Sequence, residues 1–241
     1  MTEVSELPHY FPPTKIKWRP SGDLLVTSGD VLRVWNARRG KLEAFLTHNT
    51  ERERDRGVCT SVTACDWGES GIISVESTGL ALLWSDVSQS KVSSIWDLGH
   101  KVLYDVAFKD AHVLAVASSA EIVLLDLRSP CEVRNFPTKG LSARQGPAKL
   151  AWSADGNVIA VAALAGGGVS FYDDRAASSS KSFGLWDAPV IGLDWVDEEN
   201  VICAHEDGKV VIVRVAESSA QASFEFYPGS PSTPRFILTP S

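Results

Sequence analysis

The chain has 241 residues, of which 44% are hydrophobic and 22% are charged, a composition typical of a folded globular protein. It carries 23 Lys and Arg against 30 Asp and Glu, so its formal net charge at neutral pH is −7. An acidic chain lacks the electrostatic footprint of a protein that holds a nucleic-acid backbone or an anionic lipid surface. We therefore expect no direct binding to nucleic acid or to a membrane.

Two further features concern the compartment. The sequence has no run near the ~18 consecutive apolar residues that a membrane-spanning helix requires, and its N-terminus lacks the pattern of a secretory signal. The cysteines are sparse and form no C-x-x-C pair, which predicts free thiols in a reducing compartment. We expect a cytoplasmic and nuclear protein. The cysteines are Cys59, Cys65, Cys131 and Cys203.

Five segments of the chain share one plan of four short β-rich runs separated by turns. The first run of each segment ends on an aromatic residue, and these aromatics lie 49, 41, 44 and 43 residues apart. Four short strands that recur every 40 to 45 residues or so are typical of propeller blades. The sequence therefore predicts an all-β, WD40-type β-propeller with five four-stranded blades. The aromatics are Trp18, Trp67, Phe108, Trp152 and Trp195.

The repeats divide the chain into predicted parts. An N-terminal segment covers residues 1–14, and the propeller covers residues 15–227. A Pro/Ser-rich tail, expected to be flexible, covers residues 228–241. The predicted blades lie at about 15–46, 60–96, 101–136, 147–184 and 189–227.

The aromatic positions have a structural interpretation. A four-stranded sheet with two apolar faces needs neighbours on both sides, so we expect the first-run aromatics to pack between adjacent blades. Trp35 and Trp84 end the third runs of two blades, where WD repeats carry their tryptophan. Gly99–His100 precedes Asp126 at the interval of the GH and WD motifs. The hydrogen-bonded tetrad of such repeats is nevertheless expected to be degraded, because three blades carry Leu125, Tyr172 and Val213 instead of tryptophan.

Residues 8–35, PHYFPPTKIKWRPSGDLLVTSGDVLRVW, carry a family resemblance that is most specific in Asp23–Trp35. The segment resembles the Transparent Testa Glabra/AN11 family of WD-repeat adaptors and its animal cullin-RING-ligase-associated counterpart. The family form is seven-bladed, so the resemblance implies a five-bladed form or an incomplete, unclosed ring, with Met1–Phe11 as the remnant of a preceding blade. The similarity continues through Cys59–Trp67, Tyr104–Phe108, Leu125–Arg128, Lys149–Trp152 and Pro189–Asp207.

The resemblance implies a non-catalytic scaffold that assembles regulatory protein complexes. Its implied partners are transcription regulators of the Myb and basic helix-loop-helix types, and protein kinases. The alternative is a substrate-recognition subunit of a cullin-RING ubiquitin ligase, because two Asp-x-Arg triplets resemble the box that docks on the ligase adaptor. These candidate docking residues are Asp126, Arg128, Asp173 and Arg175. In a competing interpretation, each aspartate caps a turn and each arginine pairs within its blade.

Enzymatic chemistry finds no support in the sequence. No nucleophile elbow, zinc-protease, phosphate-loop or kinase motif occurs, and Gly166–Gly168 is interpreted as a wide turn between strands. The five histidines are dispersed, and His48 with Cys59 and Cys65 fits no standard metal-site spacing. We expect no catalytic residues, no metal and no cofactor.

Overall fold

The computed structural model of the chain describes residues 7–9, 12–47, 61–99, 102–119, 121–129, 132–136, 147–163, 168–175, 178–183, 187–215 and 219–225. Within these ranges the chain forms twenty β-strands and no helix, and so no helix there is fit to span a membrane. The predicted tail, residues 228–241, lies outside them, as does much of the predicted N-terminal segment.

The strands form five four-stranded antiparallel sheets in which strands consecutive in sequence are neighbours. The first two sheets comprise β1 (Lys15–Trp18), β2 (Leu24–Ser28), β3 (Leu32–Asn36) and β4 (Lys41–Leu46), then β5 (Val62–Gly68), β6 (Gly71–Glu76), β7 (Leu80–Asp86) and β8 (Lys91–Asp97). The third comprises β9 (Leu103–Phe108), β10 (Val113–Ser118), β11 (Ile122–Asp126) and β12 (Glu132–Phe136). The last two comprise β13 (Pro147–Trp152), β14 (Val158–Ala163), β15 (Val169–Asp173) and β16 (Ser178–Phe183), then β17 (Val190–Trp195), β18 (Asn200–His205), β19 (Lys209–Arg214) and β20 (Ser219–Glu225). The prediction of an all-β chain built from four-stranded units is confirmed.

The middle strands of the first four sheets are largely buried on both faces, whereas β18 and β19 of the fifth sheet keep several partly exposed positions. All six residues of β6 are buried, as are all but the first of β10 and β14. Strands that are covered on both faces read as continuous apolar runs rather than alternating ones. The outer strands β4 and β8 instead alternate between exposed and covered positions. In the first two repeats, this difference explains why the fourth run gives a weaker signal in the sequence.

Two outer strands begin three residues earlier than the sequence pattern indicates. β16 begins at Ser178 rather than Lys181, and β20 begins at Ser219 rather than Ala222. In both cases the added residues pair with the preceding strand, as Ser178 does with Asp173 of β15. Pairing with a neighbouring strand overrides the weak β-propensity of serine and alanine, which explains the difference.

The chain divides into two compact units, Met1–Val116 with Leu125–Glu132, and Ala117–Leu124 with Val133–Ser241. In the first unit, Val26 and Val34 of the first sheet pack in one cluster with Trp67 and Ile72 of the second. In the second unit, residues of the fourth sheet pack against residues of the fifth in the same way. The apolar core of each unit therefore lies between the faces of neighbouring sheets, as stacked repeats require.

Three first-strand aromatics pack against the sheet that precedes their own. Trp67 lies in the core that the first and second sheets share. The ring of Phe108 lies over Gly68 of the second sheet. Trp195 donates its indole N–H to the carbonyl of Ala151 at 3.0 Å. Trp18 and Trp152 are half-buried.

Gly68 is required where the second and third sheets approach each other. A Cβ atom added there would lie 2.8 Å from Cγ of Phe108, closer than carbon atoms approach in a packed interior. We expect Gly68→Ala to lower the free energy of unfolding by about 1–3 kcal/mol, because the ring must move out of its packed position. Urea unfolding followed by tryptophan fluorescence measures the change.

The matched control is Gly29→Ala, since the space around Gly29 is open, with one atom at 3.9 Å. This variant should unfold within about 0.5 kcal/mol of the wild type. Equal urea midpoints for the two variants would contradict the close packing of Phe108 on Gly68.

Candidate protein-binding site

The first Asp-x-Arg triplet forms the turn that follows β11. The Asp126 carboxylate accepts hydrogen bonds from the backbone N–H of Arg128 at 2.9 Å and from its Nε and Nη2 at 2.9 and 2.6 Å. Mainly through the side-chain hydrogen bonds of Arg128, this arrangement lowers the pKa of Asp126 to about 2. The Arg128 side chain is 66% exposed. Its guanidinium therefore faces solvent while it is paired within its own turn.

The second triplet forms the turn that follows β15. Asp173 accepts the backbone N–H of Arg175 at 2.7 Å, and Arg175 is exposed. The pKa of Asp155 is lowered to about 2, first by a hydrogen bond from the hydroxyl of Ser153 and then by hydrogen bonds from Asn157. The positive charge of Arg175 contributes less to this shift. Asp155 lies in the β13–β14 connection of the same sheet. Asp126 and Asp173 thus cap their turns. The docking role of the two triplets stays a prediction.

The WD-type tryptophans make the hydrogen bond that their position predicts. Trp35 donates its indole N–H to the hydroxyl of Thr27 at 3.0 Å, and Trp84 donates to Ser74 at 2.9 Å. The ring of His9 lies 5.3 Å from that of Trp35. His100 lies outside the described residues. In the other three blades the tryptophan position holds a buried side chain that fills the core, namely Leu125, Tyr172 or Val213.

Sequence analysis missed a buried charge on the first strands. Lys15 of β1 donates to the carboxylate of Asp105 in β9, and also to the carbonyl of Val106 at 3.1 Å. The Asp105 side chain is 2% exposed. A buried carboxylate needs such a partner, because an isolated charge in a protein interior is costly. The pair joins the first sheet to the third.

The carboxylate of Asp66 also joins the first three sheets, through contacts with Lys17 and Phe108. Lys17 lies 3.6 Å from Asp66, and Asp66 also accepts the backbone N–H of Phe108 at 2.8 Å. The sequence signal for Asp66 is an aspartate directly before the first-strand aromatic, which occurs before both Trp67 and Trp195. Asp66 and Asp105 hold the first strands in place, so their role is structural.

The cysteines and histidines supply no metal site among the described residues. Cys65 and Cys203 are free and buried, and burial raises the pKa of each thiol to about 12. Cys65 is therefore a neutral thiol rather than a thiolate ligand. No group of three or more His, Cys, Asp or Glu side chains converges in the described ranges. His48, Cys59 and Cys131 lie outside those ranges.

Comparison with known sequences gives a distant relative. No protein-family model matches the chain. The DDB1- and CUL4-associated factor 7 homolog of Dictyostelium discoideum is 30% identical to it over 138 residues, which cover 50% of this chain and 40% of that protein. The chain therefore spans less than half the length of this relative.

Comparison with solved structures identifies the fold. The crystal structure of the Myceliophteria thermophila Cps50 (Swd1) beta-propeller domain matches with a TM-score of 0.73 at 14% identity, over 93% of this chain and 74% of that domain. The predicted β-propeller fold is thus confirmed.

The ion pair in the β11–β12 turn yields a titration prediction. In Arg128→Ala, the pKa of Asp126 should rise from about 2 toward its ordinary value of 3.8. The reason is that the hydrogen bonds from the guanidinium are the largest cause of the lowered pKa. It should remain below 3.8, since the backbone N–H still donates. Carboxyl ¹³C chemical shifts followed between pH 1.5 and 6 measure it. Asp155 is the internal control and should keep its pKa near 2; an unchanged Asp126 would contradict the proposed cause.

Proposed function

We propose that this WD-repeat β-propeller is a non-catalytic adaptor that assembles regulatory protein complexes. The observation that carries the proposal is the architecture itself. The faces of neighbouring sheets pack against one another. Polar turns such as Asp126–Arg128 and Asp173–Arg175 lie exposed at the strand ends. Rigid strands that present several short turns suit the simultaneous binding of more than one protein, which raises the partners' effective concentration for each other.

The proposed partners are transcription regulators of the Myb and basic helix-loop-helix types, and protein kinases. The resemblance of residues 8–35 to the Transparent Testa Glabra/AN11 adaptors supports this choice. A cytoplasmic and nuclear location fits these partners, and the buried free thiols of Cys65 and Cys203 are in keeping with it.

The adaptor role is tested by affinity capture from native extract with the full chain as bait and an unrelated β-propeller as control. We expect a kinase or a transcription regulator to be enriched, and a second partner to remain bound when the first is captured. Recovery of neither class would contradict the proposal, and so would partners that always exclude one another.

A second candidate function is docking on the adaptor subunit of a cullin-RING ubiquitin ligase. Asp-x-Arg triplets at the ends of two successive third strands favour it, as does the similarity to a protein named a DDB1- and CUL4-associated factor. Arginine presents a planar fork of donors that suits carboxylate and carbonyl acceptors on a partner. In such a complex, Arg128 would exchange Asp126 for the partner, while the backbone bond to Asp126 keeps the turn in shape.

Loss of both guanidinium groups tests this docking. We expect Arg128→Ala/Arg175→Ala to weaken binding of the purified ligase adaptor about tenfold or more in surface plasmon resonance, as removal of interface arginines does. The control variant Arg38→Ala/Arg39→Ala removes the same charge from an exposed turn without an aspartate cap, and should bind as the wild type does. Equal binding by both variants would remove the docking role and leave the adaptor role standing.

A further inference from the structure

The first and second sheets enclose a groove of about 720 Å³ that none of the functions above uses. Its sides are the β1–β2 turn, the faces of β3 and β4, the end of β5 and the β7–β8 turn, all within the first compact unit. This volume falls within the usual range for pockets that bind a ligand or a short segment of a partner. Leu24, Val34, Ala44 and Val87 make part of its wall apolar.

The polar part of the lining is predominantly acidic. Glu43, Glu69 and Asp86 contribute carboxylates, of which the two glutamates are exposed. Arg19 is the single basic residue among the described residues that line the groove. Its charge is shared with Asp23, at 3.4 Å. Lys91 lies opposite Asp86 in the β7–β8 ladder and offsets part of the negative charge of Asp86. The two glutamates therefore dominate the electrostatic potential of the groove.

The groove already contains one cation on an aromatic ring. The guanidinium carbon of Arg19 lies 6.0 Å from the centre of the Trp67 ring, within the range of a cation–π contact. Arg19 is half-exposed, and its guanidinium also makes a long contact to the carboxylate of Asp23. The chain's own side chain therefore indicates which chemistry this groove stabilises: a positive group held between an indole face and a carboxylate, here that of Asp23, beside apolar side chains.

We propose that the groove between the first two blades binds a short peptide segment of a partner protein in which an arginine or lysine is flanked by apolar residues. The cation meets Glu43 and Glu69, and the apolar side chains cover the partly buried Leu24 and Val87. Arg19 competes with the incoming cation. This assignment rests on the proposed adaptor function and names one of its binding surfaces.

The test selects 12-residue peptides from a random phage-displayed library on the full wild-type chain and measures their affinity by fluorescence polarisation. We expect the selected peptides to combine Arg or Lys with apolar residues. Glu43→Gln/Glu69→Gln should weaken their binding about three- to tenfold, because two attractive carboxylates are lost. Arg19→Ala should strengthen it, because the competing cation is gone. Equal urea midpoints establish that these exposed substitutions leave the fold intact.

The control variant Glu198→Gln/Glu206→Gln removes two exposed carboxylates from the fifth sheet and should not change peptide affinity. Selected peptides without a basic residue, or equal weakening by both double variants, would overturn the proposal. Partners that the wild type and Glu43→Gln/Glu69→Gln capture equally from extract would overturn the groove while leaving the adaptor role intact. Failure to capture any partner, with peptides that still respond to the groove variants, would overturn the adaptor role alone.

Discussion

A twisted four-stranded sheet whose two faces are both apolar is stable in water only when each face lies against another sheet. The rest of this structure depends on that requirement. It explains why the middle strands of the first four sheets are largely buried and why the cores lie between sheets rather than within one. It also explains the aromatic at the end of each first strand: Trp67, Phe108 and Trp195 each reach the sheet before their own. Gly68 supplies the space that Phe108 occupies.

Because most of the sheet faces lie in these cores, the turns at the strand ends carry exposed charged side chains such as Arg128 and Arg175. Aspartates recur in the turns, where Asp126, Asp173 and Asp155 each accept backbone N–H groups nearby. Such capped turns keep one shape at little cost in entropy. The buried carboxylates of Asp66 and Asp105 have the other role and fix the strands behind the turns. Among the described residues, the carboxylates are thus divided between buried ones that fix the strands and ones in the turns that accept nearby backbone N–H groups.

The part of the fold that could be read from the sequence is the part set by short-range pattern. β-Branched runs with an aromatic every 40 to 50 residues or so are sufficient to predict the blades, and β2 (Leu24–Ser28) falls where the pattern puts it. The starts of β16 and β20 could not be read, since pairing with a neighbour extends strands of weak propensity. The Lys15–Asp105 pair spans 90 residues of sequence, and neither residue alone differs from a solvated charge. The groove of the first two blades is hidden for the same reason: its walls come from separate repeats.

The stability of a repeat array is usually described as a sum of terms for single repeats and for adjacent pairs. The contact from Lys15 to Asp105 passes over the second blade and joins the first directly to the third. A nearest-neighbour account therefore leaves out one coupling in this chain. The pair couples the first strand of the first blade to the first strand of the third, so loss of structure at either strand should destabilise the other even while the second blade stays folded.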